Sequence, residues 1–167
     1  MYFQILIQIL AVIGLIVWTT SYHFKDRKSI LLVQLLSFVF WIAHFVLLGA
    51  VTGAVLSSIA AIRVGVFYFK TKNNWIGKPI VAWFFTLVLV IATYFTLTTY
   101  WAIFALIGGI FAVIASAQDK ENRIRLLFIP SHLSWALYDI FIGSYGGAVS
   151  EGLLSLSALV SLLKKKS

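Results

Sequence analysis

The chain has 167 residues, of which 62% are hydrophobic and 11% are charged, and its mean hydropathy is +1.02. A water-soluble domain of this length cannot bury so large an apolar fraction, so the composition excludes a soluble protein and predicts an integral membrane protein. The net charge is +8, and the absence of cysteine excludes disulfide frameworks and thiolate chemistry.

Seven apolar runs follow one another along the chain. A bilayer core about 30 Å thick needs roughly 20 apolar residues per helix, and the chain accommodates seven such helices with short loops. The first run lacks a basic segment and a cleavage site, so we expect it to persist as a span. The predicted spans are residues 3–22, 30–48, 51–69, 80–97, 100–117, 126–142 and 148–163. The aromatic residues expected to anchor their ends at the interface are Tyr22, Trp75, Tyr100 and Trp101.

Basic residues are confined to alternate loops. The loop after the first span contains Lys25, Arg27 and Lys28, whereas the next loop, around Gly49, contains no charge. The later basic residues follow the third, fifth and seventh spans and are Lys70, Lys72, Lys78, Lys120, Arg123, Arg125, Lys164, Lys165 and Lys166. Since Lys and Arg in short loops stay in the cytoplasm, this pattern predicts an external N-terminus and a cytoplasmic C-terminus. We expect the positive charge to face anionic lipid, not nucleic acid.

The sequence repeats itself after 94 residues. The recurring string is Trp41, Gly49, Gly53, Ala54 and Val55 against Trp135, Gly143, Gly147, Ala148 and Val149. Single identities are common by chance in an apolar chain, but this ungapped string is not. It predicts an all-α membrane fold of two parallel three-helix repeats, at about residues 3–70 and 100–165, joined by a connector helix at about 78–97. The glycines are expected to permit tight turns and close helix approach.

One segment also carries a family resemblance. Its residues are Trp41, His44, Leu47, Leu48 and Gly49, then Gly53 and Ala54, and finally Ala61, Ile62 and Arg63. With these residues the chain resembles the bacterial inner-membrane YgjV family over nearly its whole length, which implies a multi-pass inner-membrane protein. The layout is also similar to that of SWEET and PQ-loop transporters, which implies a solute site between the repeats. Their Pro-Gln signature is missing, since the two prolines, Pro79 and Pro130, lie elsewhere.

Five ionisable side chains lie inside the predicted spans, where a charge is costly and usually marks a function. Counting a helical rise of about 1.5 Å per residue from the outer turns places Arg63 and His132 near the bilayer midplane. The same count places His44, Asp139 and Glu151 closer to the outer surface. Arg63 stays protonated, so we expect it to bind either an anionic solute or one of the two carboxylates in a buried salt bridge.

The other candidates each allow two interpretations. Asp139 and Glu151 flank a short turn, so they are expected either to share a proton that couples transport or to line a wet outer vestibule. His44 is expected to be an interhelical hydrogen-bond partner or a proton relay. His132 follows a proline that frees a backbone carbonyl, which suggests gating. Trp41 and Trp135 would either stack a ring-shaped solute or pack the repeats together.

We therefore expect a transporter that carries a small polar or anionic solute through a polar cavity between the repeats, with protons as one option for coupling. The candidate substrate-binding residues are Trp41, His44, Arg63, His132, Trp135, Asp139 and Glu151. Phosphate-binding glycine loops, metal-spaced clusters and nucleophile elbows are missing from the sequence, so we expect no enzyme, metal or cofactor. The alternatives are a structural, sensing or partner-binding membrane protein and an intramembrane enzyme using His44 with Asp139 or Glu151. The expected partners are lipids and an unidentified solute, and homo-oligomerisation stays open.

Overall fold

The computed structural model describes residues 2–71, 75–76, 78–97 and 99–164. Within these ranges the chain forms seven α-helices and one short 3-10 helix, Phe69–Thr71. The helices are α1 Tyr2–Ser21, α2 Arg27–Leu48, α3 Val51–Tyr68, α4 Pro79–Thr96, α5 Ala102–Ser116, α6 Glu121–Phe141 and α7 Tyr145–Lys164. Each helix overlaps one predicted span, which confirms the all-helical prediction. The predicted basic residues Lys72, Lys165 and Lys166 lie outside the described residues.

Five of these helices, α1 to α4 and α7, are long and apolar enough to cross a bilayer. α5 has 15 residues, about 22 Å of helix, and is shorter than a hydrocarbon core of about 30 Å. α6 has 21 residues but is less apolar, because it contains Arg123, Arg125, His132 and Asp139. The fold is therefore an α-helical, multi-pass membrane fold with five candidate spans, and the seven-span count stays a prediction.

The helices form a ring with one helix outside it. α2 packs between α1 and α3, and α6 packs between α5 and α7, so that α1–α3 and α5–α7 form two triplets. The ring closes where α1 meets α7 and α3 meets α5, and α4 packs outside against α3 and α5. Across the interior, the ring of Phe45 on α2 lies 5.8 Å from that of Trp135 on α6. The two central helices therefore face each other through aromatic side chains.

Two glycines make the sharp turns inside the triplets. Gly49, between α2 and α3, has φ 75°, and Gly143, between α6 and α7, has φ 77°. Side chains other than glycine rarely adopt this left-handed conformation, so glycine ends each helix and lets the chain reverse within a few residues. The predicted role of these glycines in tight turns is confirmed.

Two further glycines allow the first helix of each triplet to approach the second closely. A Cβ atom at Gly14 would lie 3.1 Å from Nε1 of Trp41, and one at Gly108 would lie 2.7 Å from Cδ1 of Trp135. The backbones of α1 and α5 are thus in contact with the tryptophan rings. Both tryptophans therefore contribute to packing within their triplets.

The basic loops lie together at one end of the bundle. Lys70 Nζ, after α3, lies 2.8 Å from Oδ1 of Asp119, before α6. Arg27 and Arg125, which the sequence analysis placed in loops, instead lie in the first turn of α2 and the second turn of α6 and are buried. Both side chains turn inward, because main-chain carbonyls at the ends of neighbouring helices accept hydrogen bonds from them. For example, Nη2 of Arg27 lies 2.8 Å from the carbonyl oxygen of Phe67.

Candidate functional site

A small cavity lies between the two triplets, with residues from all seven helices in its wall. Its volume is about 30 Å³, which is enough for one or two water molecules. The polar side chains and the tryptophans in the wall are Trp18, Trp41, Ser57, Arg63, Ser131, His132, Trp135 and Glu151. Five of the seven predicted site residues therefore meet at this cavity.

Arg63 lies on α3 with only 1% of its surface exposed. Its Nη1 donates to the carbonyl of Gly109 at 3.2 Å, and its Nε has no acceptor among the described residues. Neither Asp139 nor Glu151 forms an ion pair with it, so the buried salt bridge, one of the two interpretations of Arg63, is not formed among the described residues. A guanidinium stays protonated and is costly to bury without an opposite charge. The cavity wall thus contains a buried guanidinium without an ion-pair partner.

Trp41 adds a second buried donor to the same wall. Its Nε1–H has no hydrogen-bond partner in the described part of the chain. A buried N–H group without an acceptor costs roughly 1 to 3 kcal/mol, so such groups normally indicate a water, an ion or a ligand. The Nε1 edge of Trp41 faces the backbone of α1 at Gly14, so this donor lies at the packing contact of α1 and α2.

Four side chains form a hydrogen-bonded chain that ends at the cavity. Trp18 Nε1 donates to the hydroxyl of Tyr22 at 3.1 Å, and this hydroxyl lies 2.5 Å from Nε2 of His132. His132 Nδ1 lies 2.6 Å from Oε2 of Glu151. The sequence analysis placed His132 and Glu151 at different depths, but the Glu151 side chain spans that offset and the two groups touch.

The hydrogen-bond partners of Tyr22 and His132 determine where the protons of this chain lie. The Tyr22 oxygen already accepts from Trp18, and His132 is the other group within reach of its hydroxyl among the described residues. The hydroxyl proton therefore points at Nε2 of His132, which must accept it. A neutral imidazole with an accepting Nε2 has its proton on Nδ1. His132 consequently donates its Nδ1–H to Oε2 of Glu151.

His44 and Asp139 lie apart from the cavity, near the turn between α6 and α7. The two ring nitrogens of His44 bond to the carbonyl of Ile7 and to the hydroxyl of Ser144, each at 2.8 Å. Asp139 is fully buried beside Gly147, where an added Cβ would lie 2.6 Å from Oδ2. His44 therefore links α1, α2 and this turn, which fits its interpretation as an interhelical hydrogen-bond partner.

Tyr22 was missed by the sequence analysis. It was expected to anchor the bilayer interface, but it is 1% exposed and points at His132 on α6. Tyrosine at a span end is typical of an interfacial anchor, and its partner lies 110 residues further along the chain. The sequence contained no local signal of this contact.

The comparisons with known proteins agree with the fold. The model of the Imp-YgjV family, described as a bacterial inner membrane protein, matches residues 5–167. Neither a curated protein nor a solved structure matches the chain significantly. The chain therefore belongs to this family, as its resemblance predicted. Together with its apolar helices, this membership makes it a multi-pass protein of the bacterial inner membrane.

Proposed function

We propose that this inner-membrane protein is a transporter, not an enzyme, and that it carries a small anionic solute which binds to Arg63 between the triplets. The observation that supports this function is the buried guanidinium without an anionic partner. A purely structural role would favour a neutral residue or a paired charge at this position, because an unpaired buried charge lowers stability. A substrate anion supplies the missing charge whenever the transporter is loaded.

We further propose that the triplets are parallel repeats, with α4 as the connector. Exchanging α1–α3 with α5–α7 converts the contact of α1 with α7 into that of α5 with α3, and both contacts are present. The turns at Gly49 and Gly143 and the two close contacts between glycine and tryptophan follow the same exchange. These relations support a SWEET-like layout with a solute site at the repeat interface.

The volume of the cavity bears on the transport cycle. About 30 Å³ admits water or a very small anion but not a sugar. We propose that the described conformation is closed and that the triplets separate to admit solute from either side.

We also propose that the end of the bundle with the basic loops faces the cytoplasm, because Lys and Arg collect on the cytoplasmic side. With seven crossings, the C-terminus then lies in the cytoplasm and the N-terminus lies outside.

Anion binding by the purified protein tests this function. Sodium formate, acetate and nitrate are titrated at constant ionic strength while thermal unfolding in detergent is followed. An anion at ten times its Kd stabilises the folded protein by about 1.4 kcal/mol. We expect at least one anion to do so, and its labelled form to enter proteoliposomes that contain the protein.

Two arginine variants make this test specific. Arg63→Gln should abolish both stabilisation and uptake, because it removes the buried cation. Arg123→Gln removes an exposed arginine near the start of α6 and should retain both. Equal responses of the two variants, or no response of the unmodified protein to any of the anions, would contradict the proposal.

A further inference from the structure

We propose that Glu151 is the proton-binding group of this transporter and that one proton binds together with each anion. This inference rests on the proposed function, because it assigns a coupling ion to the same cavity. It depends on three features of the described residues. These are the hydrogen bonds of Glu151, its access to the cavity, and the positive charge of Arg63 in the same cavity wall.

The hydrogen-bonded chain from Trp18 ends in a hydrogen bond that His132 donates to Glu151. Each donor in the chain points towards Glu151, and His132 has no second proton to give unless the chain reverses. If the chain reversed, both Trp18 and His132 would donate to the Tyr22 oxygen, and the proton of the Tyr22 hydroxyl would have no acceptor. The chain therefore leaves Glu151, not His132, as the place where a proton is added.

Glu151 has one oxygen free for that proton. His132 occupies Oε2, whereas Oε1 makes no hydrogen bond to any described residue and is not among the fully buried polar atoms. The side chain keeps 11% of its surface accessible and forms part of the cavity wall. A proton delivered by water in the cavity can therefore bind to Oε1 while the bond to His132 stays intact.

The charges in the cavity wall explain why proton and anion would bind together. Arg63 contributes one positive charge and Glu151 one negative charge, and the two groups do not form an ion pair. An anion that binds to Arg63 adds a second negative charge to a small space of low polarity. Protonation of Glu151 cancels it, so each ligand raises the affinity of the other.

Other ionisable groups belong to the elements packed against α7. Tyr22, just after α1, and His132 and Asp139 on α6 interact with Glu151, and Arg125 and Tyr138 lie on the same helix α6. Arg125 donates to main-chain carbonyls at the basic end, and Tyr138 receives the N–H of Gly53. Asp139 is the competing carboxyl, but it lies outside the wall that contains Arg63. Its protonation would not compensate an anion there, so we assign the proton to Glu151.

Calorimetric titration with formate and acetate between pH 5.5 and 8 tests the inference in detergent solution. If one proton binds together with each anion, the anion affinity falls tenfold for each unit of pH over this range. Glu151→Gln imitates the protonated state and should bind the same anions with an affinity independent of pH. Asp119→Asn, which removes an exposed carboxylate, should retain the tenfold dependence.

A second measurement uses only the unmodified protein, in case Glu151→Gln does not fold. Adding formate to protein in weakly buffered solution should remove one proton from the medium for each formate bound. Binding of formate without proton uptake would overturn the assignment of the proton to Glu151. A pH dependence that Asp139→Asn abolishes and Glu151→Gln retains would overturn it as well. If neither anion binds to any variant at any pH, the proposed transport function fails, and the inference fails with it.

Discussion

Arg27 and Arg125 bind corresponding carbonyls at the same end of the bundle, each in the opposite triplet. In the opposite triplet the acceptors are Ser116 and Gln118 for Arg27, and Tyr22 and Phe24 for Arg125. Arg27 also donates to Phe67 in its own triplet. The two sets of carbonyls are 94 residues apart, which is the spacing of the sequence repeat. The arginines are 98 residues apart, one helical turn more. The carbonyl acceptors therefore follow the 94-residue repeat, although the arginines that donate to them do not.

We predict that Arg125→Gln destabilises the protein. Arg125 is 4% exposed and donates to the carbonyl of Phe24 at 2.8 Å. Hydrogen bonds from a charged donor contribute about 1.5 to 3 kcal/mol each, and the loss should lower the thermal unfolding temperature in detergent. Arg123→Gln, an exposed change of the same kind on the same helix, should leave the unfolding temperature unchanged. Equal unfolding temperatures of the two variants would contradict a buried, bonded Arg125.

Gly108→Ala is predicted to weaken the packing of α5 on α6. The new Cβ would lie 2.7 Å from Cδ1 of Trp135 and 2.9 Å from the backbone oxygen of Ser131. Because the backbone cannot move aside as a flexible side chain can, we expect a loss of about 1 to 3 kcal/mol. Gly65→Ala is the matched control, since no atom lies within 4 Å of its added Cβ. It should be neutral or stabilising by up to about 1 kcal/mol. Thermal unfolding of both variants measures the difference.

The helices and the tight turns were predictable from the sequence, because each depends on local properties. Apolar length determines a span, and a glycine before a new apolar run indicates a turn such as that at Gly143. Pairing of side chains depends on helix rotation and tilt, which the sequence does not give. Counting the rise along the helices therefore separated His132 from Glu151, although their side chains touch. It also left open whether Arg63 is paired, which the structure answers.

Labelling of single cysteines tests the predicted orientation directly, because the chain contains no cysteine of its own. Tyr100, between α4 and α5, is 90% exposed, and Lys120, before α6, lies exposed at the basic end. In spheroplasts, a membrane-impermeant maleimide should label Tyr100→Cys but not Lys120→Cys. In inverted membrane vesicles the pattern should reverse. Labelling of Lys120→Cys in intact spheroplasts would place the basic loops outside.

Asp26 gives a prediction about pH. It caps α2 by accepting the backbone N–H of Ser29 at 2.8 Å, and this bond lowers the pKa of its carboxyl below the usual value. A pKa that is lower in the folded state means that the stabilisation is complete above the unfolded pKa of about 3.9 and is lost as the pH falls through the folded value.

Asp26→Ala should therefore cost about 1 kcal/mol of unfolding free energy at pH 6, through loss of the cap. The cost should shrink as the pH falls below about 4, because the wild-type carboxyl then becomes protonated and caps less well. Asp26→Asn keeps a neutral capping group and should show no such change. Thermal unfolding of the three proteins at pH 6 and pH 3.5 checks this, and a cost independent of pH would assign the effect to something other than the charged cap.

Arg63→Met separates a binding role from a structural one most sharply. Methionine keeps much of the side-chain volume and removes the charge, which has no carboxylate partner among the described residues. Without added anion, the variant should unfold at the same temperature as the wild type or at a higher one, because the buried charge that is lost has no ion-pair partner and Glu151 keeps its bond to His132. Breaking a structural salt bridge would instead cost about 3 to 5 kcal/mol. With formate or acetate present, only the wild type should gain stability. A variant that unfolds at a markedly lower temperature in the absence of anion would show that Arg63 holds the triplets together and would remove the reason to place a substrate there.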